Sequence, residues 1–298
     1  KKRQTFNASV CRSVILSAML VREIEAADYV SPSKLSDYVI NPYVGCPHAC
    51  RYCYASFMRR LTNRHELWGE FLDVKRCSKP LGVRRLTGKS VFMSTVTDCY
   101  NPFEAKYKVT RQILEELALI ECELTITTKS NLLLRDLDLL TARTQLFRNR
   151  AALFDAPEEL RRGIHVMSSI NTLDEDFRKD MDQASTIEER LNMLETCYEA
   201  GIPTSLFMSP IFPYITDFRA LVDRAVPFVN TIWFENLNLR QGYKEDILAY
   251  VRARYPEHYR GYLDIYQRGD VSYWLALKEE IEDYCARVGI SCQMCFHY

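Results

Sequence analysis

The sequence predicts an α/β protein in which helices pack outside a parallel sheet curled into a partial or full barrel. Three observations carry this. Short β-rich runs alternate with segments of helical spacing through the middle of the chain, the rhythm of βα units. No glycine-rich phosphate fingerprint follows any of these runs, so the main alternative, a flat doubly wound nucleotide-binding sheet, has little support. With ten glycines, no flexible linker, no internal repeat and no low-complexity tract, the 298 residues read as one main domain with short additions at both ends.

At the start, Lys1, Lys2 and Arg3 precede an apolar run from Val14 to Val21 that imitates a secretion signal. Arg12 and Arg22 bracket the run, Glu23 and Glu25 follow it, and no small-residue cleavage site ends it, so residues 1–37 are read as an N-terminal extension. Candidate strands then fall at Tyr38 to Tyr43, Ser90 to Val96, Leu124 to Thr128, Ile164 to Ser169, Thr204 to Ser209 and Thr231 to Glu235, each a β-rich run bounded by polar residues. Between them Ile113, Leu114, Leu117 and Ile120 make one apolar helical stripe, and Leu132 to Leu140 has helical spacing. Another helix carries Leu191, Leu194 and Tyr198 and stops at Gly201, a residue suited to a left-handed cap. Residues 38–241 form the predicted barrel, and 242–298 a tyrosine-rich, mostly helical tail expected to cover it.

The composition bounds the function. A hydrophobic content of 47% is ample for a packed core. Lys plus Arg equals Asp plus Glu, 39 against 39, so no global field draws the chain to nucleic acid or an anionic membrane. The eleven cysteines are odd in number and not dense, which favours a reducing compartment. No apolar stretch approaches the roughly 18 to 20 residues of a membrane helix, and the expected location is the cytoplasm.

The strongest local signal is Cys46-Pro47-His48-Ala49-Cys50-Arg51-Tyr52-Cys53, placed after the first candidate strand and before a helix. Three thiolates in one tight loop can hold three irons of a cubane cluster and leave the fourth open to a small molecule. Structural zinc usually pairs two such knuckles, or Cys with His, and no second knuckle lies nearby. His48 sits inside the loop and is read as helping its turn. Chance core cysteines rarely adopt this spacing beside Asn41-Pro42-Tyr43-Val44-Gly45.

These residues resemble the radical S-adenosylmethionine (SAM) superfamily. Further stretches are similar to its branch related to spore photoproduct lyase: Thr97-Asp98, Asn101-Pro102-Phe103-Glu104, Lys106-Tyr107-Lys108 with Thr110-Arg111, Thr127-Thr128-Lys129-Ser130, Ser168 to Glu175, Glu189-Arg190-Leu191 and Ala200-Gly201-Ile202. The match spans residues 38 to 235, and within the branch the chain looks most like the short radical SAM mobile pair proteins. The resemblance implies a partial (β/α)6 TIM-like barrel and a [4Fe–4S] cluster on Cys46, Cys50 and Cys53. It also implies reductive cleavage of SAM to a 5′-deoxyadenosyl radical that takes hydrogen from a substrate at the carboxyl ends of the strands, a flavodoxin- or ferredoxin-type one-electron reductant, and a partner radical SAM protein. Carried over by position, Tyr52 contacts the adenine, and Ser94, Thr95, Lys129, Ser169, Asn171 and Arg190 face the cofactor. From the residues alone, Lys129 reads equally as a solvated strand-end cap, Arg190 could pair with Glu188 or Glu189 on its helix, and at most one of Ser168 and Ser169 points inward.

Two departures affect the chemistry. Cys99 follows Asp98 where relatives often carry proline, which makes it a candidate to return hydrogen to a product, against the plain reading of a buried thiol as a small hydrophobe. Asp182-Gln183 stands where relatives often have Glu-Pro. In the tail, Cys292-Gln293-Met294-Cys295 with Cys285 and His297 could bind a second metal, act in redox chemistry or simply pack. Arg59, Arg60, Arg64, Lys75, Arg76, Lys79, Arg84 and Arg85 form a basic stretch suited to a nucleic acid or to plain solvation. Tyr255, Tyr259, Tyr262 and Tyr266 fit base stacking, a radical relay or helix packing. The functional readings are a radical enzyme acting on nucleic acid, on a peptide or on a small metabolite, a structural zinc protein, and a non-catalytic partner subunit.

Overall fold

The computed structural model describes residues 19–118, 120–154, 163–239 and 242–298. Cys11, Arg12 and the start of the apolar run at Val14 lie outside the described residues. The principal sheet has eight strands in the order β11-β10-β9-β8-β7-β6-β3-β2. These are β2 Val30–Pro32, β3 Tyr38–Ile40, β6 Ser90–Met93, β7 Glu123–Thr128, β8 Ile164–Ser169, β9 Thr204–Ile211, β10 Thr231–Asn236 and β11 Ser291–Met294. Apart from the antiparallel β2–β3 pair, every neighbour is parallel. The run β3, β6, β7, β8, β9, β10 follows chain order, as six successive βα units of a partial barrel require. A smaller sheet sets β5 (Phe71–Arg76) between β1 (Leu20–Glu25) and β4 (Tyr43–Val44).

The longer helices are α1 Val109–Leu117, α2 Leu137–Phe154, α3 Glu175–Met181, α4 Ile187–Glu199, α5 Phe218–Ala225, α6 Lys244–Arg254, α7 Tyr259–Tyr266 and α8 Ser272–Val288. The predicted stripe of α1 buries Val109, Ile113, Leu114 and Leu117. Helix α4 begins in a capping box: Thr186 Oγ1 accepts from Glu189 N, and Thr186 N donates to the Glu189 carboxylate. Such a cap contributes about 1 kcal/mol. It ends at Gly201, whose φ of +76° is the left-handed cap the sequence suggested. Among the described residues no helix is long and apolar enough to cross a membrane.

Two strands end earlier than expected, and the tail carries a strand that was not expected. The first strand stops at Ile40, because Pro42 has no N–H to continue the ladder, and Tyr43–Val44 leave to pair with β5 instead. The second stops at Met93, where Ser94 turns to φ +75°. The tail is three helices followed by a strand, β11, whose Cys292 and Gln293 pair with Ile232 and Trp233 of β10. Its alternation covers four residues, too short a run for a period of two to stand out.

Two clusters of buried side chains organise the interior. The larger lies between the sheet and α1, α4, α5 and α8. The second joins Tyr52, Phe177, Met181 and Phe212 to Leu237, Leu239, Ile247, Leu248, Tyr250, Val251 and Tyr262. The tail helices α6 and α7 therefore pack on α3 and on the carboxyl ends of β9 and β10, over the face where a barrel carries its chemistry. Each of the larger side chains stabilises by about 1.5–3 kcal/mol on burial.

Candidate active site

The cysteine loop is held by close backbone approaches that only small residues permit. At Gly45, φ is +85° and a Cβ would lie 2.3 Å from Phe71 O; at Gly69 one would lie 2.5 Å from Ala49 Cβ. Ala49 itself turns at φ +48°. Within the loop Ala49 N donates to Cys46 O at 3.2 Å and Cys53 N to Cys50 O at 3.1 Å. Outward, Arg51 N donates to Met181 O at 3.0 Å and Gln183 N to His48 O at 2.7 Å. The second of these bonds uses the Asp182-Gln183 departure directly, since proline in place of Gln183 has no N–H to give. The His48 side chain reaches out of the loop instead of closing its turn: its Nδ1 lies 3.2 Å from Asp98 Oδ2, both side chains being nearly fully buried.

Asp98 ties that loop to the second and third barrel strands. Its carboxylate accepts from Tyr100 N at 2.9 Å, Thr128 Oγ1 at 2.8 Å and Lys129 N at 2.8 Å. Burial alone would raise its pKa, but His48 and these donors outweigh burial and hold it below the usual carboxylate range. Cys46 is buried, and Cys50 and Cys53 are half-buried. Burial pushes all three thiols upward, and Cys46 is raised further by Asp98 and Cys50 by Asp182, with neighbouring thiols adding to both. Three such thiols ionise together only around positive charge, which is what a cluster's irons supply. Among the described residues no group of three His, Cys, Asp or Glu side chains is arranged round a single metal ion. A cubane makes a different demand, since its thiolates bind three separate irons.

The carboxyl ends of four consecutive strands carry a continuous polar arc. Lys129, just after β7, hydrogen-bonds through Nζ to Ser169 Oγ at the end of β8. Ser169 Oγ donates to Ser209 O of β9 at 2.9 Å, and Ser209 Oγ hydrogen-bonds the Glu235 carboxylate of β10. Lys129 Nζ also lies 5.6 Å from the centre of the Tyr52 ring, and burial lowers its pKa. Ser168 bonds instead to Thr128 O at 3.3 Å, so of the two serines only Ser169 joins the arc. Lys129 is therefore a member of this array and not a solvated cap.

Arg190 is 1% exposed and does not pair with Glu188 or Glu189. Its Nη2 lies 2.5 Å from Asp182 Oδ1, Nη1 donates to Ser169 O at 3.2 Å and Nε to Ser185 O at 2.8 Å. It braces the wall behind Ser169. Against the upward pull of burial, Arg190 and then Lys129 keep Asp182 below the usual carboxylate range. Tyr52 packs edge-on to Phe212 at 5.5 Å, and its hydroxyl is buried without a partner in the described chain.

The remaining expected site residues are taken up in backbone architecture. Ser94 Oγ accepts from Cys99 N at 2.7 Å. Thr95 is pinned by Asn41, whose Nδ2 and Oδ1 bond its hydroxyl and its N–H, each at 3.0 Å. Asn171 Nδ2 donates to Pro210 O at 3.0 Å and fixes the β8 and β9 ends together. Cys99 is fully buried in the large core cluster with Tyr100 and Val109, separate from the cluster that holds Tyr52 and Cys50. That placement matches its plain reading as a small hydrophobe.

The secondary features find partners within the chain. Of the basic stretch, Arg64 bonds Asp73, Arg76 lies 2.8 Å from Glu23, and Lys79 and Arg85 each lie 2.7 Å from Asp28. Those four are neutralised by partners and do not line a free groove. Tyr262 is fully buried, Tyr266 donates to Leu237 O at 2.9 Å, and Tyr255 packs 6.3 Å from Phe177. Cys285 is pushed up to about 12 by burial and by adjacent Cys292, while Cys295 stands near Glu235. Sequence reasoning missed Ser209, Glu235 and the pairing of Asp182 with Arg190. The first two were signalled, being the last residues of the fifth and sixth candidate strands, where a barrel places its functional groups.

Comparison with known proteins agrees with this architecture. Residues 40–224 match the family model of the radical SAM superfamily. An uncharacterized protein of Methanocaldococcus jannaschii is 35% identical over 246 residues, 82% of this chain and 86% of that one. An uncharacterized protein of Mycobacterium tuberculosis is 25% identical over 268 residues, 84% and 74% of the two chains. Among solved structures, a spore photoproduct lyase variant with bound AdoMet and dinucleoside spore photoproduct superposes with a TM-score of 0.55 at 14% identity, covering 85% of this chain and 70% of that one. SuiB of Streptococcus suis bound to S-adenosylmethionine gives 0.53 at 14%, covering 94% and 51%. With the matched span enclosing the cysteine loop and the next four strands of the barrel that presents it, the chain is an enzyme of the radical SAM superfamily.

Proposed function

We propose that Cys46, Cys50 and Cys53 hold a [4Fe–4S] cluster with one open iron, and that SAM binds between it and the polar arc of Lys129, Ser169, Ser209 and Glu235. When bound, the cluster supplies the electron that splits SAM and so initiates hydrogen abstraction from a substrate. The chain's own residues do the rest. Hydrogen bonds from Arg51 and Gln183 hold the loop against α3, and Tyr52 offers a ring face and an unpartnered hydroxyl to the adenosyl moiety. Arg190 positions Ser169, and the tail helices keep water from the mouth. The single observation that carries this reading is the cysteine loop itself, docked at the carboxyl end of the barrel with Cys46 buried and Cys50 and Cys53 half-buried beside it.

In this reading residues 38–241 are the catalytic barrel, the flanking segments cover it, and the electron comes from a flavodoxin- or ferredoxin-type donor in the cytoplasm. For the substrate, the likeness to a spore photoproduct lyase seen with a dinucleoside supports a nucleic acid, repaired or modified. The fold shared with SuiB, also seen bound to a precursor peptide, supports a peptide. The basic stretch adds little to either, because Arg64, Arg76, Lys79 and Arg85, half of its charges, are held by acidic partners. The burial of Cys99 weighs against its returning hydrogen to a product.

Anaerobic reconstitution with iron and sulfide, followed by reduction with SAM, tests the proposal. A brown protein releasing 5′-deoxyadenosine is the expected result. Tightly bound zinc with no iron–sulfur absorbance overturns it. Acceleration of SAM cleavage by ultraviolet-treated oligonucleotide or by unstructured peptide then separates the two substrates.

A further inference from the structure

The segment Trp68–Phe71 forms the floor of the cysteine loop. Gly69 meets Ala49, Phe71 O meets Gly45, and the Trp68 ring packs edge-on to Phe71 with centroids 6.0 Å apart. Trp68 Nε1 is buried and has no hydrogen-bond partner in the described chain, an arrangement that native proteins rarely leave unmade. The polar group beside it is the Cys53 side chain. Ala55 N–H, the Trp68 indole N–H and Ser56 N–H are the donors that approach the Cys53 sulfur. These neighbours all favour negative charge on that sulfur.

We infer that the Trp68 indole N–H is a tuning donor to Cys53 Sγ, completing its hydrogen bond when Cys53 is a thiolate on the cluster, and that it thereby raises the cluster's reduction potential. This rests on the proposed cluster site and goes beyond it. A donor to a ligating sulfur disperses the charge added on reduction, and hydrogen bonds to the sulfurs are among the factors that set iron–sulfur potentials. Trp68 acts only through Cys53. Its ring holds the floor by packing on Phe71, while its N–H serves the sulfur.

The experiment is an EPR-monitored redox titration of the reconstituted full-length chain, wild type against Trp68→Phe, with iron content measured on both. Phenylalanine keeps an aromatic face against Phe71 and removes the donor. The expected result is unchanged iron per chain and a more negative midpoint, with the reduced-to-oxidised ratio at a fixed poise falling up to tenfold, which for one electron is about 59 mV. An unchanged midpoint with full iron content overturns the inference and leaves the proposed function standing. If Trp68→Phe fails to take up iron, Trp68→His decides, because it keeps a ring N–H. A histidine variant that binds the cluster near the wild-type potential supports a donor. One that also loses iron shows that the indole serves packing alone and overturns the inference. A wild-type chain that takes up no iron–sulfur cluster sinks the proposed function itself.

Discussion

Cys50 is half-buried within electrostatic reach of Asp182, Lys129 and Cys53, so its sulfur lies where the loop meets the polar arc. Cys50→Ala is expected to remain soluble but to take up no cluster and release no 5′-deoxyadenosine, read by iron content and product analysis. Arg190 is a different kind of residue. Its pair with Asp182 is fully desolvated, so Arg190→Met leaves a carboxylate buried without its main partner and is expected to cost about 3–5 kcal/mol in denaturant unfolding of the apoprotein. The pH dependence has a definite sign. The folded pKa of Asp182 lies below the ordinary value, so its contribution is full above about pH 4 and is lost as the pH falls through the depressed folded value. Asp182→Asn should flatten the acid side of the stability profile relative to wild type. The cysteines were legible in the sequence because their spacing is local. The partner of Arg190 was not, because charge spacing along one helix suggested Glu188 and Glu189, whereas the residue chosen lies before the helix and deeper in the wall.

At the scale of elements, the cysteine loop depends on β5 and α3 more than on its own turn. Gly45→Ala would drive a methyl group into the backbone oxygen of Phe71 and force a non-glycine residue to φ +85°, the latter alone costing about 1–3 kcal/mol. Substoichiometric iron after reconstitution, at normal far-UV circular dichroism, is the expected outcome. Phe177 on α3 ties the loop to the tail through Phe212 at 5.0 Å, Tyr250 at 6.1 Å and Tyr255 at 6.3 Å. Phe177→Ala should cost about 3–5 kcal/mol by cavity formation, measured by denaturant unfolding. Helices α1 and α4 could be read from apolar stripes and a terminal glycine. Strand β5 could not, because nothing in Phe71–Arg76 announces that it pairs with β4 and supplies the loop's floor.

For the molecule as a whole, the tail is structural. Removing residues 242–298 would strip β11 from β10 and expose Phe212, Leu237, Leu239 and Phe177 together, a contiguous apolar surface at the barrel mouth. The truncated chain is expected in the insoluble fraction, and a soluble truncated barrel that still binds iron would contradict this account of the tail.

By itself the sequence determined the α/β class, the places of the six barrel strands along the chain, the cysteine loop and the family chemistry that loop implies. All of these are local patterns, a strand period, a helical stripe or a fixed spacing of thiols, and local patterns survive in one dimension. Only the tertiary structure decided that Lys129, Ser169, Ser209 and Glu235 form one arc, that Asp182 balances Arg190, that Cys99 is enclosed and that Trp68 buries its N–H beneath the cysteine loop. Those relations join residues tens of positions apart, and their energy comes from burial, which removes water as a competing partner and leaves each polar group to find its match across the fold.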